Sequence, residues 1–112
     1  MILVIGGAYQ GKLSWATQTY GLEENELCDL ADGFVVGKRC YYHLEVLTKR
    51  GDDLPSFTED SIVISREIGC GVVPMEAKDR AWREYHGAVL QDLAKRADRV
   101  VRVFCGIGEV LK

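Results

Sequence analysis

The chain begins with MILVI, an unbroken β-favouring apolar run that ends abruptly at Gly6-Gly7. A run without polar alternation marks a strand buried on both faces, as in a parallel sheet covered by helices. Beyond the glycines, Leu13, Ala16, Thr17 and Tyr20 recur at helical spacing until Gly21 offers a stop. Strand, glycine loop and helix in that order are the opening of an α/β sheet.

The loop itself, GGAYQGKLS, satisfies the spacing G-x-x-x-x-G-K. In such a loop the glycines turn successive backbone N–H groups toward phosphate oxygens, a lysine adds a compact positive charge, and the helix N-terminus adds its dipole. Ligands of α/β sheets bind at the carboxyl ends of the strands, which is where this loop falls. Gly6, Gly7, Ala8, Tyr9, Gln10, Gly11, Lys12, Leu13 and Ser14 are therefore the candidate nucleotide-binding residues, with Lys12 also a candidate for catalysis. The residue after the lysine ordinarily gives a hydroxyl to Mg²⁺, and here it is leucine. Ser14 stands one position on, about 100° round the helix, and is a poor substitute. The alternative for Leu13 is an ordinary core-facing helix position. Nucleotide binding then survives while metal positioning and phosphoryl transfer weaken.

Further along, the acidic stretch 23–32 is weakly patterned and GFVVG reads as a second strand. A helix is expected over residues 38–50, with Tyr41, Leu44 and Leu47 on one face and Gly51 as its stop, and GDDLPSFTED reads as a loop. SIVIS is a short β-branched strand, followed by REIGCGVVP, whose glycines and Pro74 suit a turn. Over residues 76–97 the positions Ala81, Trp82, Tyr85, Val89, Leu93 and Ala97 step by three or four. This predicts a long helix packed through Trp82, Tyr85 and Val89, with Glu76 near its start and Lys95 and Arg96 near its end. VVRVFC is a further strand and GIGEVLK a short tail. Strands alternating with helices predict one domain with a mainly parallel sheet, the first strand central.

Composition narrows the function. With 112 residues, 47% hydrophobic and 28% charged, the chain suits one packed core. A net charge of −3 excludes a sequence-independent nucleic-acid surface, so a bound polyanion must be held by a few placed groups. Cys28, Cys40, Cys70 and Cys105 show no metal or disulfide spacing and read as reduced thiols. MILVI is too short for a signal peptide or a membrane span, so a cytoplasmic protein with no membrane partner is expected; whether it forms a homo-oligomer is left open.

Glu67, just past SIVIS, is the second catalytic candidate, since a carboxylate at that strand's end would face the loop and could hold Mg²⁺. Its other reading is a solvated turn residue. Arg80 and Arg83, three apart near the start of the long helix, are candidate contacts to anionic substrate groups, or else ion-pair with Glu76 or Glu84. His43 and His86 read as structural or solvent-facing helix residues.

The two ends of the chain together resemble the adenosylcobinamide kinase / adenosylcobinamide-phosphate guanylyltransferase family of cobalamin biosynthesis. MILVIGGAYQGK is similar to that family's strand and GGARSGKS loop. REIGCGVVP and DRAWREYHGAVLQDLAKRADRVVRVFCGI are similar to its N-E-V-G-x-G-I-V-P block, its R-x-x-R-(x)₃-G helix and its last strand. The resemblance implies a RecA-like P-loop NTPase fold, a three-layer α/β sandwich. It implies ATP or GTP as nucleotide, Mg²⁺ as companion and cobinamide as partner. Family members phosphorylate the aminopropanol hydroxyl of adenosylcobinamide, then transfer GMP through a guanylylated histidine. Gly6, Gly7, Gly11 and Lys12 match the family's loop; Glu67, Gly69, Gly71 and Pro74 its second block; Arg80, Arg83, Gly87 and Gln91 its helix.

The departures point the same way as Leu13. Arg66 stands where the family has Asn, Leu90 where it has a second Asn, and Gly108 where it has Pro. The chain is also shorter between the loop helix and SIVIS, where the family keeps the histidine helix and a strand ending in a metal-linked Asp. His43 is either a remnant of that helix or, as preferred, a residue without catalytic part. A kinase without the guanylyl-transfer half is therefore expected, the alternative being a nucleotide-binding or regulatory protein without turnover.

Overall fold

The structure, a computed structural model, describes residues 1–68 and 76–112. Its elements run β1 (Ile2–Gly6), α1 (Lys12–Tyr20), a 3-10 turn at Glu24–Glu26, β2 (Leu27–Asp29), β3 (Cys40–Tyr42), α2 (Leu44–Arg50), β4 (Ile62–Arg66), α3 (Ala77–Arg96), β5 (Arg99–Phe104) and β6 (Ile107–Val110). The strands form one sheet in the order β2-β3-β4-β1-β5-β6, parallel throughout except for the β5–β6 hairpin. The apolar run that opens the sequence is central: Val4 pairs with Ile64 on one side and Val101 on the other.

Side chains that alternate along the strands divide the core in two. Val4, Ile62, Ile64, Val101 and Val103 cluster with Ala16 of α1. Leu3, Val63 and Val100 cluster instead with Leu44 and Leu47 of α2 and Leu93 of α3. Helices thus cover both faces, and the architecture is the three-layer, mainly parallel α/β sandwich expected. No helix among the described residues is long and apolar enough to cross a membrane.

Four sequence expectations are corrected. GFVVG is not a strand: it is the return segment between the parallel neighbours β2 and β3, bent at Gly33 and Gly37, whose φ values are 123° and 91°. Its Phe34 stacks on Tyr41 at 5.0 Å, and the Tyr41 hydroxyl donates to the Val35 carbonyl at 2.8 Å. The helix expected over 38–50 begins only at Leu44, because Cys40-Tyr41-Tyr42 takes up β3 pairing and His43 adopts a left-handed conformation, φ 65°, that interrupts the chain. GIGEVLK is no tail, since Ile107–Val110 forms β6 against β5. In α3 the face turned to the core carries His86, which is fully buried, while Tyr85 is 46% exposed. Trp82 and Val89 do sit against the rest of the protein, as expected.

Gly108, in the position where Pro was the family's pattern, has a local cause. A Cβ there would lie 2.4 Å from the Trp15 ring, so the indole of α1 lies directly on the β6 backbone. The same contact ties α1, which follows the glycine loop, to the hairpin.

Candidate functional site

The carboxyl ends of β1, β3 and β4 meet at a cleft of about 380 Å³. Residues 8–14 form one wall, and Tyr42, His43, Glu45, Ile64 and Arg66 the other. The loop leaves β1 through Gly6, where a Cβ would lie 2.5 Å from the Val103 carbonyl oxygen; only glycine lets β1 and β5 approach this closely before the chain turns out. Gly11 has φ 84° and starts α1, and Tyr9, φ 60°, projects fully into solvent. Lys12 reaches back across the loop, its Nζ donating to the Gly7 carbonyl at 2.7 Å. Burial holds its pKa below the ordinary lysine value; the charge of Arg66 adds to the effect, and Glu45 and Glu67 oppose it. The half-buried cation thus stands at the opening of α1, the end at which a helix leaves its first backbone N–H groups without intrahelical partners.

Gln10 does something its sequence position does not reveal. Its main-chain carbonyl accepts from Gly106 N at 2.8 Å, and its side-chain Oε1 accepts from Cys105 N at 2.7 Å. The β5–β6 turn therefore clamps the loop from behind, and that carboxamide oxygen is directed at the turn. Losing one such bond costs about 1 kcal/mol, so Gln10→Ala is expected to lower the melting temperature by about 3–6 °C and to weaken nucleotide affinity by up to roughly fivefold as the loop loosens. Calorimetric titration checks this, and an unchanged affinity would contradict the clamp.

The loop residues and Lys12 are thus brought together, whereas Glu67 is not on their side of the sheet. In β4 Ile64 and Arg66 turn to the α1 face, and alternation carries Glu67 to the face of α2 and α3. There its Oε2 pairs with Arg102 Nε at 3.2 Å and it lines a second cleft of about 420 Å³ beside Ile5, Leu90 and Gln91. Its backbone N–H still holds the loop's start, donating to the Gly6 carbonyl at 2.8 Å. Arg80 and Arg83 lie in the first turns of α3 and are not among the residues lining the loop cleft. Gly69, Gly71 and Pro74, and Cys70 with them, lie outside the described residues. Of the other cysteines, Cys28 and Cys40 are buried and free, and burial pushes the Cys40 thiol up to about 12.

The described residues do not by themselves assemble a site for Mg²⁺ held by the protein. Leu13 has no hydroxyl and packs against the α1-side core, the Glu67 carboxylate is engaged by Arg102, and no cluster of three potential ligands occurs among the described residues.

Glu45 is the carboxylate that the sequence reading missed. Its Oε1 accepts from Arg66 N at 2.9 Å, and among the charges that raise the Lys12 pKa its influence exceeds that of Glu67. It stands in the first turn of α2, just beyond the end of β3. The signal that finds it is the strand CYY: once β3 is placed, the residues after it must lie at the carboxyl edge.

Comparison with protein families settles the kinship: residues 42–111 match the family described as cobinamide kinase / cobinamide phosphate guanyltransferase. The chain belongs to this family. Its fold is that of the P-loop NTPases, and its members act on nucleotide and cobinamide substrates in cobalamin biosynthesis. No match is found among curated proteins. For this cobinamide kinase / guanyltransferase relative the match begins at Tyr42, so His43, Glu45, Glu67, α3 and the hairpin fall inside it. The glycine loop falls outside, and its role rests on its own geometry.

Proposed function

We propose that the chain is a nucleotide-dependent kinase of the cobinamide-phosphorylating kind, without the guanylyl-transfer half. The observation that carries this reading is the Lys12 cation, half-buried in a glycine loop at the carboxyl edge of a parallel sheet. In this reading Gly6, Gly7, Ala8, Tyr9, Gly11, Leu13 and Ser14 surround the triphosphate of ATP or GTP. Gln10 fixes the loop against the hairpin, and Lys12 neutralises charge on the transferred phosphoryl group. Mg²⁺ enters with the nucleotide as part of the substrate. Arg80 and Arg83, which do not line the loop cleft, contact anionic groups of the acceptor substrate.

A second reading, nucleotide binding without turnover, is favoured by one observation: Leu13, partly buried, packs against the core beside the loop and offers no hydroxyl. One variant separates the two. In the kinase, radiolabelled γ-phosphate from ATP or GTP passes to adenosylcobinamide, and Leu13→Ser raises the transfer rate more than nucleotide affinity while costing roughly 1–2 kcal/mol of stability through lost burial. Nucleotide binding with transfer at background in both proteins would establish the second reading.

A further inference from the structure

We infer that His43, oriented by Asp29, is the general base that takes the proton from the acceptor hydroxyl during phosphoryl transfer in the loop cleft. The inference rests on the kinase reading above. Its basis is the end of two strands. β2 and β3 are parallel, with Asp29 in register with Tyr42, so Asp29 and the residue after Tyr42 share the carboxyl edge of the sheet. His43 is that residue. Its left-handed backbone, unusual for a side chain other than glycine or asparagine, turns the chain into α2 and leaves the imidazole on the cleft wall opposite the loop.

The ring is held in one tautomer. His43 Nδ1 lies 2.8 Å from Asp29 Oδ1, and the same oxygen accepts from Ala31 N at 2.9 Å, so the carboxylate is itself fixed by the turn after β2. Because a carboxylate only accepts, Nδ1 carries the proton, and in the neutral ring the lone pair is then on Nε2. The ring is about half exposed and meets the Tyr42 ring edge-on at 4.7 Å, which leaves it reachable by a bound alcohol. His86 cannot serve in this way, for it is fully buried and both of its nitrogens have partners. Among the described residues, the other charged or titratable groups around the dyad are Lys12 of α1, Glu45 and Arg50 of α2, Arg66 of β4, and Asp32, Cys28 and Cys40 beside Tyr42.

In the step, Nε2 accepts the hydroxyl proton as the alcohol oxygen bonds to the γ-phosphorus. The bond from that phosphorus to the β–γ bridging oxygen breaks, and its electron pair leaves on the nucleoside diphosphate. Asp29 stabilises the imidazolium until its Nε2 proton passes to solvent.

The test measures transfer of radiolabelled γ-phosphate to adenosylcobinamide between about pH 5.5 and 9, with nucleotide affinity by calorimetry, for the wild type, His43→Gln and Asp29→Asn. The expected result is affinity within about twofold in both variants, with transfer reduced roughly 100-fold in His43→Gln and about tenfold in Asp29→Asn. The acidic limb of the wild-type profile disappears in His43→Gln and shifts in Asp29→Asn. Transfer in His43→Gln within about threefold of wild type, on the same profile, would overturn the base while leaving the kinase standing. So would a loss of affinity that matches the loss of transfer, or acid-labile label retained on His43, which would make it a covalent carrier. A wild type that binds nucleotide and transfers nothing would overturn the kinase reading, and the base with it.

Discussion

Lys12→Ala is expected to lower affinity for ATP or GTP about 100-fold and phosphoryl transfer on the order of 1,000-fold, without loss of folding stability. Lys12 is the only charged side chain of the loop, and among the described residues its Nζ donates to the Gly7 carbonyl rather than to a carboxylate. Burial lowers its pKa, so the cation is held in the folded protein at a cost that alanine removes. The sign follows from linkage. A lysine with a lowered folded pKa binds fewer protons than the unfolded chain between that value and its ordinary 10.5, so its contribution to stability grows as pH rises through the window. Phosphates beside Nζ reverse the shift. Nucleotide binding at alkaline pH is therefore accompanied by proton uptake, visible as a dependence of calorimetric heat on buffer ionisation enthalpy and absent from Lys12→Ala. Equal affinity in the two proteins would remove the lysine from the site.

His86→Ala is expected to cost roughly 3–5 kcal/mol of stability, the largest loss of any single change considered. The ring joins three elements. Nε2–H donates to the Arg66 carbonyl at 2.8 Å with Ser65 Oγ at 3.0 Å, and Nδ1 accepts from Thr48 Oγ1 at 2.8 Å, itself accepting from Trp82 Nε1 at 2.9 Å. Truncation leaves a cavity between α2, β4 and α3 and removes the bonds that tie Thr48 of α2 and Ser65 and Arg66 of β4 to α3. Burial also holds the His86 pKa below its ordinary 6.5, against the opposing Arg66 carbonyl and Glu45 charge. As pH falls below 6.5 the unfolded chain takes up a proton that the buried ring refuses, so the wild type loses stability toward the lowered value. Denaturant unfolding from neutral to acidic pH checks both points, and His86→Ala should lack this part of the acid sensitivity. A variant as stable as the wild type would show that α3 is held by its apolar contacts alone.

Elements that announce themselves by periodicity were legible in the sequence: MILVI, SIVIS and the 76–97 helix stand within a residue or two of β1, β4 and α3. The middle was not. β2 and β3 are three residues each, too short for a period, and the only stretch there that looked like a strand, GFVVG, is a connection whose valines are 52% and 82% exposed. β6 was hidden because an edge strand paired on one side needs no continuous apolar run, and Gly108 broke its pattern in favour of Trp15. The candidate site divides in the same way. Residues 6–14 were readable as a glycine loop between β1 and α1 because that turn is local in sequence, whereas Asp29, His43, Glu45 and Arg66 converge only through strand pairing. Glu67 was placed at the correct strand end, but its side depended on the β4 register, which sets it opposite Arg102.

The central claim is that residues 6–12 grip the phosphates of a nucleotide even though Leu13 has replaced the usual hydroxyl. Calorimetric titration of the wild-type protein with ATP and with GTP, in the presence of Mg²⁺, tests it most directly. Saturable binding of one nucleotide per chain, lost in Lys12→Ala while the variant stays folded, is the predicted result. No heat of binding from a folded wild type with either nucleotide would contradict it.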